Sequence, residues 1–333
     1  MTRSRGSNLD REIDVLLPFH KLDTFFDQAV QSVVDSQGVK IRLILIDDSP
    51  EQNYIPKILP KDLSGLELVR TGGGLGYGYA LKVGSELIQA QAVGLFNSDD
   101  LVHPLRFQTQ LLTLETNDLS LTGMQRISKN GRKISSLSGE IYSKKYDPLY
   151  LLLGSYGANA TWVMQSNWWK NNSFFDNQEC LDWRIALKSF SATKIHWNPE
   201  KLYSYRKHAS QVTAKRELFD SRMDCVYDAW KHFAATIGLS NNTETIFNII
   251  ATPWLKKKTA IPEEFRNWSS QLLQIAKETE ADIYNNFLKL VRRRFLKLAL
   301  SPNVSTPERV RLGSRGVEEI PGLLKDFLLQ LRN

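Results

Sequence analysis

The feature that most constrains this chain is an alternation in its first third. Short apolar runs, each stopping at a polar cluster, are separated by stretches with apolar residues at helical spacing. Ile13-Asp14-Val15-Leu16-Leu17-Pro18 reads as a buried strand ended by proline. From Leu22 to Ser36 the residues Leu22, Phe25, Phe26, Val30, Val33 and Val34 share a helical face. Ile41 to Ile46 is a second strand, stopping at Asp47-Asp48-Ser49-Pro50, and Leu66 to Arg70 is a third. A glycine-rich turn follows, with a helix predicted from Tyr79 to Ala92. Val93 to Phe96 is a fourth strand with Asn97-Ser98-Asp99-Asp100 at its carboxyl end. This order predicts an α/β domain with a mostly parallel sheet and helices on both faces. Ligands of such sheets bind outside the carboxyl ends of the strands. The polar clusters fall there: Pro18-Phe19-His20, Asp47-Asp48-Ser49, Gly72 to Gly78, and Asn97 to Asp100.

Beyond this region, residues 117–150 read as shorter strands and turns, with Asn130-Gly131 as a hairpin signal. From Arg216 onward the pattern is helical, broken by Pro302 and Pro307 before a last helix from Val317 to Leu331. The division predicted is a catalytic α/β domain at 1–214 and a helical region at 215–333. A hydrophobic share of 42% excludes a disordered or collagen-like chain. No run reaches the ~18 apolar residues of a membrane-spanning helix. The polar stretch from Met1 to Arg11 lacks the apolar core of a secretory signal. Two cysteines, Cys180 and Cys225, neither build a zinc cluster nor suggest an oxidising compartment, so the expected location is cytoplasmic. A net charge of +7 suits anionic substrates or a membrane surface and is too weak to indicate nucleic acid.

The adjacent carboxylates need a physical reason. Neighbouring Asp side chains repel and raise each other's pKa unless a cation or hydrogen-bond donors compensate. Asp99 with Asp100 suits a divalent cation, since Mg²⁺ commonly uses one or two carboxylates and takes other oxygens from a substrate phosphate. Asp47 and Asp48 suit hydrogen bonds to a base or ribose. Asp100 has a second reading, as the cap of a helix containing Leu105 to Leu114. In Gly72-Gly73-Gly74-Leu75-Gly76-Tyr77-Gly78, glycines let the backbone approach an anion with its N–H groups and the following helix terminus facing it. The run has no G-x-G-x-x-G register and no G-x-x-x-x-G-K-[ST], which excludes a dinucleotide fingerprint and a P-loop.

A further acidic centre lies in Phe174 to Arg184. Asp182 falls in the first turn of a helix predicted from Leu181 to Phe190, where the helix dipole favours a carboxylate. Trp183 beside it either stacks on a sugar ring or packs in the core. Arg206, Lys207 and His208 end an apparent strand as a basic cluster suited to a diphosphate.

In this order the motifs resemble the inverting family-2 glycosyltransferases, which have the GT-A nucleotide-sugar fold. The resemblance runs through Leu16-Leu17-Pro18-Phe19-His20, Ile46-Asp47-Asp48-Ser49, and the turn Arg70 to Gly76 with Ala80 and Gly84. It continues through a D-x-D-like Asn97-Ser98-Asp99-Asp100, then Phe175-Asp176 with Leu181-Asp182-Trp183, and Tyr205-Arg206-Lys207-His208. It covers roughly residues 11–214. Asn97 stands where the first Asp of D-x-D is usual, and Leu181 where a Glu is usual.

The resemblance implies a mixed, mostly parallel sheet and transfer of a sugar from a nucleotide-diphospho-sugar with inversion. It makes Asp182 the general base, with Asp99 and His208 as ligands of Mn²⁺ or Mg²⁺. It places Pro18, Phe19, His20, Asp47, Asp48, Gly73, Gly74, Asn97, Ser98 and Asp99 against the donor, and Trp183 and Asp100 on the acceptor side. The acceptor implied is a glycan or lipid-linked glycan, in bacterial surface-polysaccharide synthesis. Competing readings are a sugar nucleotidyltransferase and an inactive sugar-nucleotide-binding relative. Outside the resemblance, Asp282 to Leu300 interleaves Arg292, Arg293 and Arg294 with apolar residues, the pattern of a helix lying on the inner face of a membrane or packed on the catalytic domain. An oligomer is compatible with either.

Overall fold

The structure is a computed structural model that describes residues 11–51, 63–137, 148–155, 157–173, 181–209, 211, 217–251 and 263–278. The chain divides into two compact units. One contains Met1–Glu140, Gly157–Ile185 and Ser189–Lys215, and the other contains Ile141–Tyr156, Ala186–Lys188 and Arg216–Asn333.

In the first unit β1 (Glu12–Phe19), β2 (Lys40–Asp47), β3 (Gly65–Arg70) and β4 (Ala92–Leu95) form a parallel sheet in the order β3-β2-β1-β4. The continuous apolar runs of β1, β2 and β4 follow from burial on both faces, while β3, at the edge, is half-buried and carries Glu67. Beyond β4 the sheet becomes mixed. β8 (Val163–Gln165) pairs antiparallel with β4 and with β6 (Leu119–Ser128). β9 (Ile195–Lys207) runs parallel to β6, and β5 (Leu101–Val102) closes that edge antiparallel to β9. β7 (Lys133–Leu137) folds back on β6 through the Asn130-Gly131 turn, where Gly131 has φ +78°, as the hairpin signal requires.

Helices α1 (Phe26–Val34), α2 (Tyr77–Ser85) and α3 (Arg106–Thr113) follow β1, β3 and β5 in the chain. α1 packs Phe26, Ala29, Val30 and Val33 into a core shared with Ile13, Val15, Leu43, Leu45 and Phe107. α4 (Ser166–Asn172) and α5 (Leu181–Ser189) come later. α2 is shorter than its sequence pattern suggests. Asp14, fully buried in β1, accepts the Gln89 and Ala90 N–H groups and a two-pronged contact from Arg42. The amides beyond the helix end are thus turned toward the sheet instead of continuing the helix.

In the second unit α6 (Glu217–Thr236), α7 (Glu244–Ala251) and α8 (Glu263–Lys277) carry a buried aromatic core. Trp230 stacks on Trp268 with ring centroids 5.9 Å apart, meets Phe247 edge-on, and donates to the Leu152 carbonyl. The helices predicted over Asp282–Leu300 and Val317–Leu331 lie outside the described residues. Among the described residues no helix is long and apolar enough to cross a membrane.

Candidate active site

The ends of β1, β2 and β3 are stitched together by backbone. Asp48 N–H donates to the Phe19 carbonyl at 2.8 Å, and Thr71 N–H to the Asp47 carbonyl at 3.1 Å. Asp47 is fully buried, and its Oδ1 accepts from Ser49 N–H and Oγ–H. Asp48 holds the glycine turn. Its carboxylate accepts from the Thr71 hydroxyl, Leu75 N–H at 2.9 Å and Gly76 N–H at 2.8 Å. Gly73 has φ +91°, and a Cβ there would lie 2.9 Å from the Ser49 carbonyl oxygen, so only glycine lets the two loops meet.

Within the turn the protein itself uses several of the N–H groups. Gly73 N–H donates to Thr71 Oγ1 and Gly74 N–H to the Asp48 carbonyl. The backbone does approach an anion closely, but the anion is the protein's own Asp48. At the same rim Pro18 and Phe19 are buried and His20 is exposed.

The end of β4 treats its acidic pair differently. Asp100 is fully buried and accepts from the Tyr203 hydroxyl, Arg206 N–H at 2.7 Å and Asn97 Nδ2 at 3.2 Å. Burial, reinforced by the Asp99 charge, raises its carboxyl well above the usual range, and these three donors oppose the rise. Asp100 does not cap a helix: α3 begins after Leu105 without a side-chain cap. Asp99 remains half-buried, with Oδ2 3.0 Å from His208 Nε2. Its carbonyl accepts from Arg206 Nε, while the Arg206 Nη groups reach the Lys129 carbonyl and Gln28 Oε1, and the guanidinium lies over Phe25. Arg206 is therefore a buried clamp between loops, where the sequence suggested a diphosphate ligand. Lys207 is exposed, and the His208 ring packs on Phe25.

The donor set at Asp99 can be tested against a divalent cation. Two donors at right angles, each ~2.1 Å from an octahedral ion, lie about 3.0 Å apart. Asp99 Oδ2 and His208 Nε2 have that separation. Among the described residues no group of three or more His, Cys, Asp or Glu side chains could hold a metal. The pair thus fits an ion that takes its remaining oxygens from phosphate and water.

Asp182 lies in the first turn of α5. Its carboxylate accepts from Trp183 N–H at 2.8 Å, and the N–H groups of Asp182 itself and of Asn159 also point to it. Burial pushes its carboxyl up to about 6, against the pull of those donors. Asn159 opens a short 3-10 turn at Asn159–Thr161, and its Nδ2 donates to the Tyr77 hydroxyl at 3.2 Å. Burial raises the Tyr77 hydroxyl pKa, and the charges of Asp182, Asp100 and Asp99 raise it further. One phenol therefore lies within electrostatic reach of both acidic centres.

A buried pair on α3 ties the same loops from below. Arg106 Nη2 donates to the carbonyls of Leu95 and Trp162, at the end of β4 and just past the Asn159 turn. Its Nε donates to Gln110, whose Nε2 donates to the carbonyls of Thr161 and Ser120.

Several assignments change. Trp183 is 6% exposed and Asp100 fully buried, so neither presents a surface to an acceptor. Asn97 and Ser98 are half-buried on the loop that carries Asp99. Phe175 and Asp176 lie outside the described residues. Tyr77, Asn159, Tyr203, Arg106 and Gln110 were not found from sequence. For Arg106 and Gln110 the available signal was a polar i, i+4 pair in an apolar helix, and for Tyr77 an aromatic ring between two glycines.

The model of glycosyl transferase family 2 matches residues 14–183. The crystal structure of S. aureus TarS 1–349 in complex with UDP-GlcNAc is similar at a TM-score of 0.54 and 12% identity, covering 86% of this chain and 81% of that one. TarS 1–349 without that ligand gives 0.51 at 15% identity, covering 86% and 83%. Its complex with UDP gives 0.50 at 16%, with the same 86% and 83%. No curated protein matches in sequence. At these identities the solved structures speak for the GT-A fold alone. The family match runs from Asp14 in β1 to Trp183 in α5 and takes in both acidic centres: the chain belongs to glycosyl transferase family 2.

Proposed function

We propose that the protein transfers a sugar from a nucleoside-diphosphate sugar, of the UDP-sugar class, to a glycan hydroxyl with inversion, and that Asp182 is the general base. What supports this reading is that the charges of Asp182, Asp100 and Asp99 all act on one phenol, Tyr77, as expected if the base and the cation-type donor set share a site. Membership of family 2 and a solved neighbour that holds UDP-GlcNAc support the donor class.

Asp182 suits proton abstraction. A carboxyl raised to about 6 is ionised at neutral pH, yet basic enough to take a proton as the hydroxyl attacks. The N–H groups of Trp183 and Asn159 hold the carboxylate in one orientation. On the opposite side of the anomeric carbon, Asp99 and His208 would hold Mn²⁺ or Mg²⁺, which when bound stabilises charge on the departing diphosphate. Asp48 and Gly73 act through the shape of the rim, with the Asp47–Pro50 loop facing the nucleoside. The acceptor in this reading is a glycan or lipid-linked glycan of surface-polysaccharide synthesis, reached from the cytoplasmic side.

The test is Asp182→Asn. Turnover should fall by roughly two to four orders of magnitude with UDP affinity retained. In the wild type kcat/KM should fall as pH drops below about 6, where Asp182 becomes protonated. The sign for stability is opposite. A raised carboxyl pKa stabilises the fold below the unfolded value, and that contribution is lost as pH rises through about 6. At pH 7.5 removal of that buried charge should offset part of what the Asn amide loses against the three N–H donors, so the variant should remain folded. Near wild-type turnover in a folded Asp182→Asn chain would place the base elsewhere.

A further inference from the structure

We propose that Tyr77 reads the sugar being transferred, its ring forming a wall of the sugar's seat and its hydroxyl donating a hydrogen bond to a sugar hydroxyl. The inference rests on the nucleotide-sugar reading above and deepens it by naming a residue that selects the sugar.

Tyr77 is the first residue of α2, and the residue before it, Gly76, has φ +92° and donates its N–H to Asp48. The start of the helix is thus fixed to the β2 rim. The glycines on either side, Gly76 and Gly78, carry no side chain to cover the ring. Tyr77 keeps 36% of its surface exposed, and Leu75 in the same turn keeps 42%. An exposed ring beside polar groups matches the general make-up of a small-molecule site, apolar walls with a few placed hydrogen-bonding groups.

The hydroxyl end is set differently from the ring. It accepts the Asn159 amide N–H at 3.2 Å, which occupies a lone pair and directs the phenolic proton elsewhere. The same Asn159 holds Asp182 through its backbone N–H. One residue therefore orients both the base and the phenol. In the proposed reaction the diphosphate lies at Asp99 and the attacking hydroxyl at Asp182. The group between them is the transferred sugar, and Tyr77 is tied to the base end through Asn159 and feels the charges of both ends. Burial and the nearby acidic charges raise the phenol's pKa, so it stays protonated and acts as a donor.

A site that hydrogen-bonds a substrate hydroxyl discriminates strongly against ligands that lack it. The test compares UDP with UDP-GlcNAc by calorimetry on the full chain with Mn²⁺, in the wild type, Tyr77→Phe and Asn159→Ala. Tyr77→Phe should leave UDP affinity unchanged and weaken UDP-GlcNAc about tenfold, the size of one hydrogen bond. Asn159→Ala keeps the phenol but releases it, and should shift the same ratio in the same direction by roughly threefold. An unchanged UDP-GlcNAc to UDP ratio in both variants overturns the proposal, as does an equal loss for the two ligands. A wild type that binds UDP and rejects UDP-GlcNAc overturns it too. A wild type that binds neither removes the donor reading itself, which separates the two failures.

Discussion

Asp47-Asp48 and Asp99-Asp100 look alike in sequence, each an acidic pair at the end of a buried parallel strand. In three dimensions they are handled in opposite ways. Both members of the first pair are buried, and internal donors engage them: Ser49 for Asp47, and Thr71 with two turn amides for Asp48. The second pair is divided. Asp100 is buried under Tyr203, Arg206 N–H and Asn97, while Asp99 stays accessible beside His208. A carboxylate satisfied by several N–H and O–H donors is scaffolding, because a buried charge needs that compensation. A half-buried one facing an imidazole remains available to an ion. Of the four carboxylates, then, Asp48 and Asp100 are each held by three donors of the protein itself, and Asp99 is the one we propose for chemistry.

Among the four paired carboxylates the largest effect should come from Asp99. Asp99→Ala is expected to lower kcat/KM by roughly 10²–10³-fold, the scale of removing one stabiliser of developing charge, with the melting temperature nearly unchanged. Calorimetry with UDP should show Mn²⁺-dependent binding in the wild type and none in the variant. If Mn²⁺ strengthens UDP binding equally in both, the division of the second pair carries no function and the two pairs are equivalent.

Asp100→Asn should show the reverse pattern. All three groups donate to Asp100, so an amide keeping its oxygen on Arg206 N–H is satisfied only if the Tyr203 hydroxyl and the Asn97 amide turn from donating to accepting, which disturbs the buried network. A loss of about 1–3 kcal/mol in stability is expected, read by urea unfolding, with Mn²⁺-dependent UDP binding retained in the folded fraction. A variant as stable as the wild type but without Mn²⁺ dependence would make Asp100 a ligand in its own right.

The contrast between the pairs marks where sequence reasoning stops. The four parallel strands were legible because β-branched and leucine runs end at polar clusters, and the strand ends did become the rim. The start of α2 was placed two residues late and its end well past Ser85, since Asp14 takes the Gln89 and Ala90 amides across more than seventy residues of sequence. The β6–β9 pairing joins segments equally far apart, and β6 proved a ten-residue strand where short strands were read. Side-chain fate was the least legible feature. Nothing local distinguishes Asp48, which meets Leu75 and Gly76, from Asp99, which meets His208. Arg206 reads as part of a basic cluster for a diphosphate and is wholly buried, because three oxygen acceptors and an aromatic face surround its guanidinium.

The smallest effect belongs to Asp48, and it sharpens the contrast most. Asp48→Asn repeats the donor conflict of Asp100→Asn, since Thr71, Leu75 and Gly76 all donate to that carboxylate. Here the partners lie on a turn next to exposed Leu75, where water can enter and relieve one unsatisfied N–H. The expected loss is about 1 kcal/mol, read by urea unfolding, with UDP affinity lowered less than tenfold and its Mn²⁺ dependence intact. The glycine turn can shift only slightly, because Gly73 packs against the Ser49–Pro50 backbone whatever residue stands at 48. If Asp48→Asn instead abolishes UDP binding while stability holds, the first pair contacts the nucleoside directly, and its hydrogen bonds to the turn belong to the ligand-free conformation.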